Sequence, residues 1–413
     1  MTMLDGFSQH APHPYFEAKD GELLIGGRKI SEIAAEIGHS PFYVYDRAVM
    51  TRKVRELRAT LPAELEIHYA MKANPMPAVV EHFCGLVDGI DVASAREMDT
   101  ALTAGMSPGL VSFAGPGKSP AELERAVAAG IVINMESELE MRRIADIARR
   151  TGTRPKVAVR VNPDFELKTS GMKMAGGPKQ FGVDAERVPQ VLKDLATLPL
   201  EFWGFHIYSG SQNLRAEIIA DAQQKSAELA IELAGHAPAP VRLLNLGGGF
   251  GIPYFPGEKP LELGPIGENL RTLLPRIRAA LPSTTVALEL GRYLVGESGV
   301  YVCQVLDKKI SRGQVFLVTD GGLHHHLAAS GNFGQVIRKN YPVLVANRVG
   351  SASHEVASVV GPLCTPLDLL ADRMELAVAE VGDLVAVFQS GAYGFSASPR
   401  GFLSHPEPAE RVV

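Results

Sequence analysis

A lysine closes the apolar run of HYAMKANP, at Lys72. An ammonium partly sheltered from water loses solvation and its pKa falls, which frees the amine to add to a carbonyl and form a Schiff base. The same side chain could equally snorkel at the edge of the apolar run. Farther on, Gly247, Gly248 and Gly249 stand together. A glycine run bares backbone N–H groups that a phosphate can approach closely, although an ordinary turn has the same composition. The run fails the G-x-G-x-x-G dinucleotide pattern because position 252 is Ile. ELGRY then supplies a carboxylate, Glu289, and a fixed cation, Arg292. Beside a phosphorylated aromatic cofactor, Arg292 can bind the phosphate while Glu289 keeps a ring nitrogen protonated; an internal ion pair is the plainer alternative. GFHIYSGSQN offers His206 to stack on a ring and Ser209 and Ser211 to bond a phosphate or a ring substituent, where a core histidine is the usual explanation. Arg160 and Asn162 follow in KVAVRVN, and Asp91 and Ser94 in GIDVAS.

These residues need elements to bring them together, and the chain supplies a regular series. Strands are expected at 65–72, 87–92, 110–114, 131–135, 156–161, 202–208, 242–247 and 285–290, each a short β-branched or aromatic run followed by a turn. Helical runs lie between them, such as Ala121 to Ala129, Leu139 to Arg150 and Glu217 to Ala234, with Asp46 to Thr60 before the first strand and Gly267 to Leu281 before the last. Alternation of strand and helix implies parallel pairing. Eight repeats predict closure into a (β/α)8 TIM barrel rather than a doubly wound sheet, and the polar groups above then fall at strand C-terminal ends, where barrel enzymes keep their chemistry. From residue 296 the pattern turns to alternating strands (VYVCQVLDKKI, QVFLVTD, EVASVV, DLVAVFQ), which predicts a C-terminal β domain of sandwich or barrel type. The expected division is a barrel over 41–295 and a β domain over 296–413, joined by 1–40 through the hairpin-like GELLIGGRKI. The irregular stretch from Asn162 to Gln180, with GMKMAGGPK, reads as a mobile loop at the barrel mouth.

Composition narrows the class. The chain has 413 residues, 46% hydrophobic and 21% charged, with a formal net charge of -5, which gives no basic footprint for nucleic acid. MTMLDGFSQHAPHPYF lacks a basic region followed by an apolar core, and no run is long enough to span a membrane. Cys84, Cys303 and Cys364 are odd in number and outside any metal-ligand spacing, which suits a reducing, cytoplasmic setting. No metal site is expected at His324, His325 and His326 either, since adjacent side chains of an extended segment point alternately.

HYAMKANP, GIDVAS, HIYSGSQ, GGGFG, ELGRY, GPLCTPLD and GAY, in that order from about Pro41 to Phe395, resemble the fold-type III decarboxylases, the family of ornithine, arginine and diaminopimelate decarboxylases. The resemblance implies an alanine-racemase-like barrel, pyridoxal 5'-phosphate (PLP) as cofactor, and amino-acid decarboxylation. It makes Lys72 the Schiff-base lysine and stacks His206 on the ring. Glu289 faces the pyridine nitrogen, and Ser209, Gly247 to Gly249, Gly291, Arg292 and Tyr393 hold the phosphate, with Asp91 and Arg160 also at the cofactor. It further implies a head-to-tail homodimer in which Cys364 of one subunit reaches the other's site and returns a proton to the substrate carbon.

The substrate motifs depart from the family. Thr365 stands where members acting on diamines or diaminopimelate usually place an acid, with Asp368 nearby as a partial substitute. DGGLHHHLAASGNFG lacks the arginine and tyrosine arrangement that meets a distal carboxylate. Together with GPLCTPLD it resembles a specialised branch tied to exosortase, exopolysaccharide or carrier-protein pathways, so the substrate is an amino acid or a carrier-bound aminoacyl group, with Thr365 and Asp368 as substrate contacts. Arg338 and Lys339 are candidates to meet an acidic carrier, or are ordinary solvated charges. A diaminopimelate decarboxylase proper, a racemase and a non-catalytic regulator are the competing readings. Racemases set an arginine rather than Glu289 against the ring nitrogen, and regulators lose the lysine or the cysteine, both present here.

Overall fold

The eight β-rich runs become the parallel strands β1 (Glu66–Ala70), β2 (Gly89–Val92), β3 (Val111–Phe113), β4 (Val132–Met135), β5 (Lys156–Asn162), β6 (Glu201–Ile207), β7 (Leu243–Gly248) and β8 (Thr285–Leu290). The computed structural model describes residues 2–3, 10–165, 172–173, 176–335 and 338–413. Each strand pairs with the next in chain order, β8 pairs with β1, and the ring includes the β4–β5 pair through Val157 with Ile133 and Val159 with Met135. The sheet is thus a closed barrel, and every strand runs in the same direction toward one mouth.

Local sequence explains the alternation. β2 to β4 are buried throughout, as strands covered on both faces must be. The helices that follow are started by serines: Ser94, Ser119 and Ser137 each accept a hydrogen bond from the backbone N–H of Glu97, Glu122 and Glu140, and Ser119 and Glu122 form a reciprocal capping box. Each cap is worth about 1 kcal/mol. Ser94 therefore serves the start of its helix. Lys72 sits two residues beyond the end of β1, in the 3-10 turn Met71–Ala73, rather than on the strand itself.

The chain divides into two compact units, one of residues 54–251 and 261–291, which holds the barrel, and one of residues 1–53, 252–260 and 292–413. The second unit thus takes in residues 41–53 and 252–260, which alternation alone groups with the barrel. Phe42–Tyr45 is the reason at the first of these: it pairs antiparallel with β9 (Gly299–Ser311) and parallel with Ala409–Val412. At the second, the Gln389 side chain donates to the Pro253 carbonyl at 2.9 Å. The remaining strands are β10 (Gln314–Thr319), β11 (Val343–Val345), β12 (His354–Val360), β13 (Leu369–Ala377) and β14 (Leu384–Val387), in the spatial order β11-β14-β9-β10-β12-β13. β9 is long enough to serve three partners, pairing near its start with Phe42–Tyr45 and β14 and, across an irregularity between Val305 and Asp307, with β10. Phe42, Val44, Val300, Val302, Ala386 and Phe388 form its core with Leu23 and Ile25 of the hairpin. That hairpin, Glu22–Ile25 with Arg28–Lys29, belongs to a four-stranded antiparallel sheet.

The stretch from 162 to 180 is described only in part; residues 166–171 and 174–175 lie outside the described residues. No helix among the described residues is long and apolar enough to cross a membrane.

Candidate active site

Glu289 and His206 are the penultimate residues of β8 and β6, which flank β7, and the turn after β1 carries Lys72. All three side chains converge. Lys72 Nζ lies 3.3 Å from Glu289 Oε1, and His206 Nε2 lies 2.9 Å from Glu289 Oε2. The Glu289 side chain is only 3% exposed, whereas that of Lys72 is 42% exposed. Burial by itself would raise the Glu289 pKa, but Lys72, His206 and Arg160 outweigh it and hold the carboxyl well below the usual carboxylate range. Glu289 is therefore a fixed negative charge. The expected alternative of an ion pair with Arg292 is not its arrangement.

Lys72 and Glu289 line a cavity of about 350 Å³ together with Asp91, Lys118, Arg160 and Phe181. Arg160 leaves β5 and donates to Glu136 at 2.7 Å, with its guanidinium 5.0 Å from the Phe181 ring. Asp91, beside Ala70 in the β1–β2 register, accepts from the Ser112 hydroxyl. Asn162 points elsewhere: its amide donates to Gly177 O at 3.0 Å and Asp184 Oδ1 at 2.8 Å, bracing the loop after β5.

The glycine run is shaped by close backbone approach. Gly247 and Gly249 have φ of 69° and 76°, and a Cβ would stand 2.8 Å from Ile207 O at the first and 2.5 Å from Gly210 O at the second. A Cβ at Gly248 would collide with the Glu289 carbonyl, and one at Gly291 would lie 2.9 Å from Ala70 O. Ser209 is buried, and its chain neighbours Tyr208 and Gly210 are the residues that Gly247 and Gly249 approach.

In the β unit, Arg292 donates to the Tyr254 hydroxyl at 2.7 Å, and its guanidinium lies 4.8 Å from the Tyr393 ring. Tyr393 has a φ of 55°, a left-handed conformation that costs a tyrosine about 1 kcal/mol or more and commonly marks a functional position. Cys364 is exposed and Thr365 half-buried. Asp368 departs from its expected part as a substrate contact. It is buried, and its two oxygens accept from the backbone N–H groups of Leu323 at 2.6 Å and Leu363 at 2.8 Å, so it braces the loop that carries Cys364.

The histidine triplet lies in a turn rather than an extended segment, and the His324 and His325 rings lie together with centroids 3.7 Å apart. His325 Nε2 meets Pro406 O at 2.9 Å, and His326 Nε2 meets the Ser390 hydroxyl at 2.8 Å. Arg338 also departs from its expected part as a surface charge: it is half-buried and folds back to donate to Ser330 O, leaving Lys339 exposed.

The sequence reading missed Glu136 and Lys118. Glu136 follows β4 directly, accepts from Arg160, and also takes the backbone N–H groups of Gly115 at 2.5 Å and Gly182 at 3.1 Å. Its position at the C-terminal end of a barrel strand is the kind of signal that singled out Asp91, the penultimate residue of β2. Lys118 is 1% exposed and donates to Gly115 O, Asn134 O and Glu140, each at 2.8 Å. Tyr254, the partner of Arg292, has no such positional signal.

A closed parallel barrel with an amine, an anchored carboxylate and an imidazole at its C-terminal mouth defines a lysine-centred barrel enzyme. Comparison narrows this to one family. The chain belongs to the pyridoxal-dependent decarboxylases, whose pyridoxal binding domain matches residues 47–296. It is similar to the L-glutamyl-[BtrI acyl-carrier protein] decarboxylase of Niallia circulans, with 38% identity over 377 residues, 90% of this chain and 88% of that protein. It is 32% identical over 404 residues to the diaminopimelate decarboxylase of Aquifex aeolicus, covering 97% and 93% of the two chains. The crystal structure of diaminopimelate decarboxylase from M. jannaschii superposes with a TM-score of 0.88 at 25% identity, covering 97% of this chain and 93% of that one. The chain is thus a PLP-dependent amino-acid decarboxylase.

The residues present suit that cofactor. Among the described residues, Asp91 Oδ2, His206 Nδ1 and Ser211 Oγ are buried without a hydrogen-bond partner, and buried polar atoms of this kind call for a ligand, an ion or water. The anionic Glu289 is matched to a protonated pyridine, and the glycine turn is a backbone of the kind whose N–H groups take a phosphate.

Proposed function

We propose that Lys72 carries PLP, that Glu289 pairs with its ring nitrogen, and that the substrate is an aminoacyl unit tethered to a carrier protein rather than free diaminopimelate. The observation that carries the substrate reading is the state of the loop 361–368. Thr365 holds the place of an acid, and the nearby carboxylate of Asp368 is already engaged by two backbone N–H groups. A distal ammonium would find no carboxylate from this loop, and an unpaired charge in a desolvated site costs several kcal/mol. The similarity to a decarboxylase of a carrier-linked glutamyl group points the same way.

When bound, PLP supplies the electron sink that lets the Cα–carboxylate bond break. The chain's own groups set the protons and orientation. His206 and Lys72 hold the Glu289 carboxylate from both oxygens, so it stays ionised and can retain a proton at a ring nitrogen. In this reading His206 also stacks on the cofactor ring. Arg160, held by Glu136, and Asp91 face the cavity with opposite charges. Gly247 to Gly249, Ser209, Gly291, Arg292 and Tyr393 would take the phosphate. Loss of carbon dioxide consumes one proton at the substrate carbon, and Cys364 of a partner subunit is the donor in this reading.

Carbon dioxide release over a panel of free diaminopimelate, glutamate, lysine and ornithine and the same aminoacyl groups on a phosphopantetheine-loaded carrier protein tests the substrate. The tethered group is expected to turn over at least about tenfold faster, in kcat/KM, than any free amino acid. Efficient turnover of free diaminopimelate overturns the reading, and turnover of a free small amino acid alone removes its carrier clause.

A head-to-tail homodimer with shared sites is part of the same reading. Mixing Lys72→Ala with Cys364→Ala subunits is then expected to recover about a quarter of wild-type activity after full exchange, since random pairing makes half the dimers mixed and each mixed dimer holds one intact site of two. Verified exchange with no recovery tells against the shared site.

A further inference from the structure

Asp91 faces the cavity from β2, and on its other side stands a residue that none of the site motifs assigns. His68 lies on β1, and its side chain is 5% exposed. Its Nε2 is 3.0 Å from Glu66 Oε2 and its Nδ1 is 3.7 Å from Asp91 Oδ1. The Ser112 hydroxyl donates to that same Asp91 oxygen, and Asn134 donates to the Ser112 hydroxyl at 3.1 Å. β2 makes room for the imidazole with a glycine: a Cβ on Gly89 would stand 2.8 Å from His68 Nε2. An imidazole thus lies between two carboxylates inside the barrel, one at the cofactor cavity and the other, Glu66, lining a second cavity of about 360 Å³ with Trp203 and Arg242.

We propose that His68 is a positioning residue that acts as an imidazolium to hold Asp91 as an oriented carboxylate at the cofactor cavity, with Glu66 as the second carboxylate that keeps it charged. The inference rests on the reading of the Asp91 cavity as the PLP site. Burial would lower the His68 pKa, but hydrogen bonds and charge from Asp91 and Glu66 outweigh it and raise it to about 10. The brace is therefore in place at neutral pH and is released as pH rises through that value. Other charged groups around His68 have partners of their own. Glu289, its register neighbour on β8, is held by Lys72 and His206. Asp88, which leads into β2, pairs with Arg58, and Arg242 of the lower cavity lies 3.1 Å from Glu201. Asp91 Oδ2 is buried with no hydrogen-bond partner among the described residues, so the oxygen that His68 and Ser112 leave unused remains for a donor in the cavity.

The test uses PLP as the probe, with its affinity for the full chain measured by equilibrium dialysis from pH 6 to 11. Four proteins are compared: wild type, His68→Gln, Asp91→Asn and the double variant. His68→Gln is expected to bind PLP roughly tenfold more weakly than wild type, the ratio widening toward pH 6, where a buried carboxylate without its cation takes up a proton more readily. In the Asp91→Asn background the same change is expected to add less than about twofold, because His68 acts through Asp91. Wild-type affinity in His68→Gln overturns the proposal, and so does an equal, pH-independent loss in both backgrounds, which is what a structural role alone would give. Asp91→Asn with wild-type affinity would instead remove Asp91 from the PLP site, a failure of the site reading that the His68 variant alone does not produce. Should His68→Gln fail to fold by circular dichroism, Glu66→Gln at the half-exposed end of the chain reads the same relation. It is expected to move the alkaline loss of PLP to lower pH, and an unchanged alkaline profile overturns the proposal.

Discussion

Lys72→Ala is expected to lower decarboxylation by at least about a thousandfold, because among the described residues no other amine is placed to do its work. Two lysines among the described residues line the cavity, and their surroundings differ in kind. Lys118 is 1% exposed and its ammonium already meets three acceptors, two carbonyls and Glu140. Releasing a proton and reaching into the cavity would break all three contacts and leave a buried carboxylate unpaired, at a cost of several kcal/mol. Lys72 is 42% exposed and faces Glu289 at 3.3 Å on a short turn at the end of its strand. Borohydride treatment of the PLP-loaded protein, followed by peptide mass analysis, should therefore place the pyridoxyl label on Lys72 and find none in Lys72→Ala. A label on Lys118 in wild type, or activity that survives the substitution, would reject the assignment.

Glu289→Gln is expected to lower kcat by roughly a hundredfold to a thousandfold while most of the PLP stays bound, the range found when one preorganised electrostatic contact is removed from an active site. The amide is nearly isosteric, so packing changes little. It cannot supply the negative charge that Lys72, His206 and Arg160 stabilise and that a protonated ring nitrogen requires. Three positive or proton-bearing groups would then face a neutral side chain at a position only 3% exposed. Glu289→Asp separates charge from reach: it keeps the charge but withdraws the oxygens from His206 and Lys72, and an intermediate loss is expected. Steady-state kinetics with PLP occupancy measured in the same samples decides the matter, and unchanged turnover in Glu289→Gln would rule out the role.

Much of this site could be read before any coordinates, for a definite reason. A parallel strand buried on both faces has a short, nearly continuous apolar run, so a charged or glycine residue at its end stands out. Asp91, Arg160, His206, Gly247 and Glu289 were all visible that way, and the eight observed strands lie within two residues of the expected ones at every end. Glu136 and Lys118 were missed because charged residues on loops and helix starts are mostly solvated. Nothing local shows that Lys118 is enclosed by Gly115, Asn134 and Glu140. His68 was passed over within the very motif that identified Lys72, since its importance depends on Gly89 and Asp91 of another strand. Asp368 looked like a substrate contact on spacing alone. Only the loop's closure on Leu323 and Leu363 turns both its oxygens inward. Phe42–Tyr45 was grouped with the barrel because its strand partners are distant in sequence, and pairing over such separations leaves no periodicity to read.

The position of that short strand has a consequence for how the protein is made. Phe42–Tyr45 leaves the ribosome well ahead of both partners that cover its edges, first β9 and later Ala409–Val412. At typical synthesis rates the interval to the final partner is roughly tens of seconds. Until β9 emerges, these four consecutive residues, all buried in the folded protein, have neither edge paired, and one edge stays open until 409–412 follow. The barrel residues are complete well before then and can collapse as they emerge. Residues 409–412 thus act as a closing stitch, and a nascent chain stalled short of them presents an apolar strand edge of the kind that chaperones engage and that seeds aggregation.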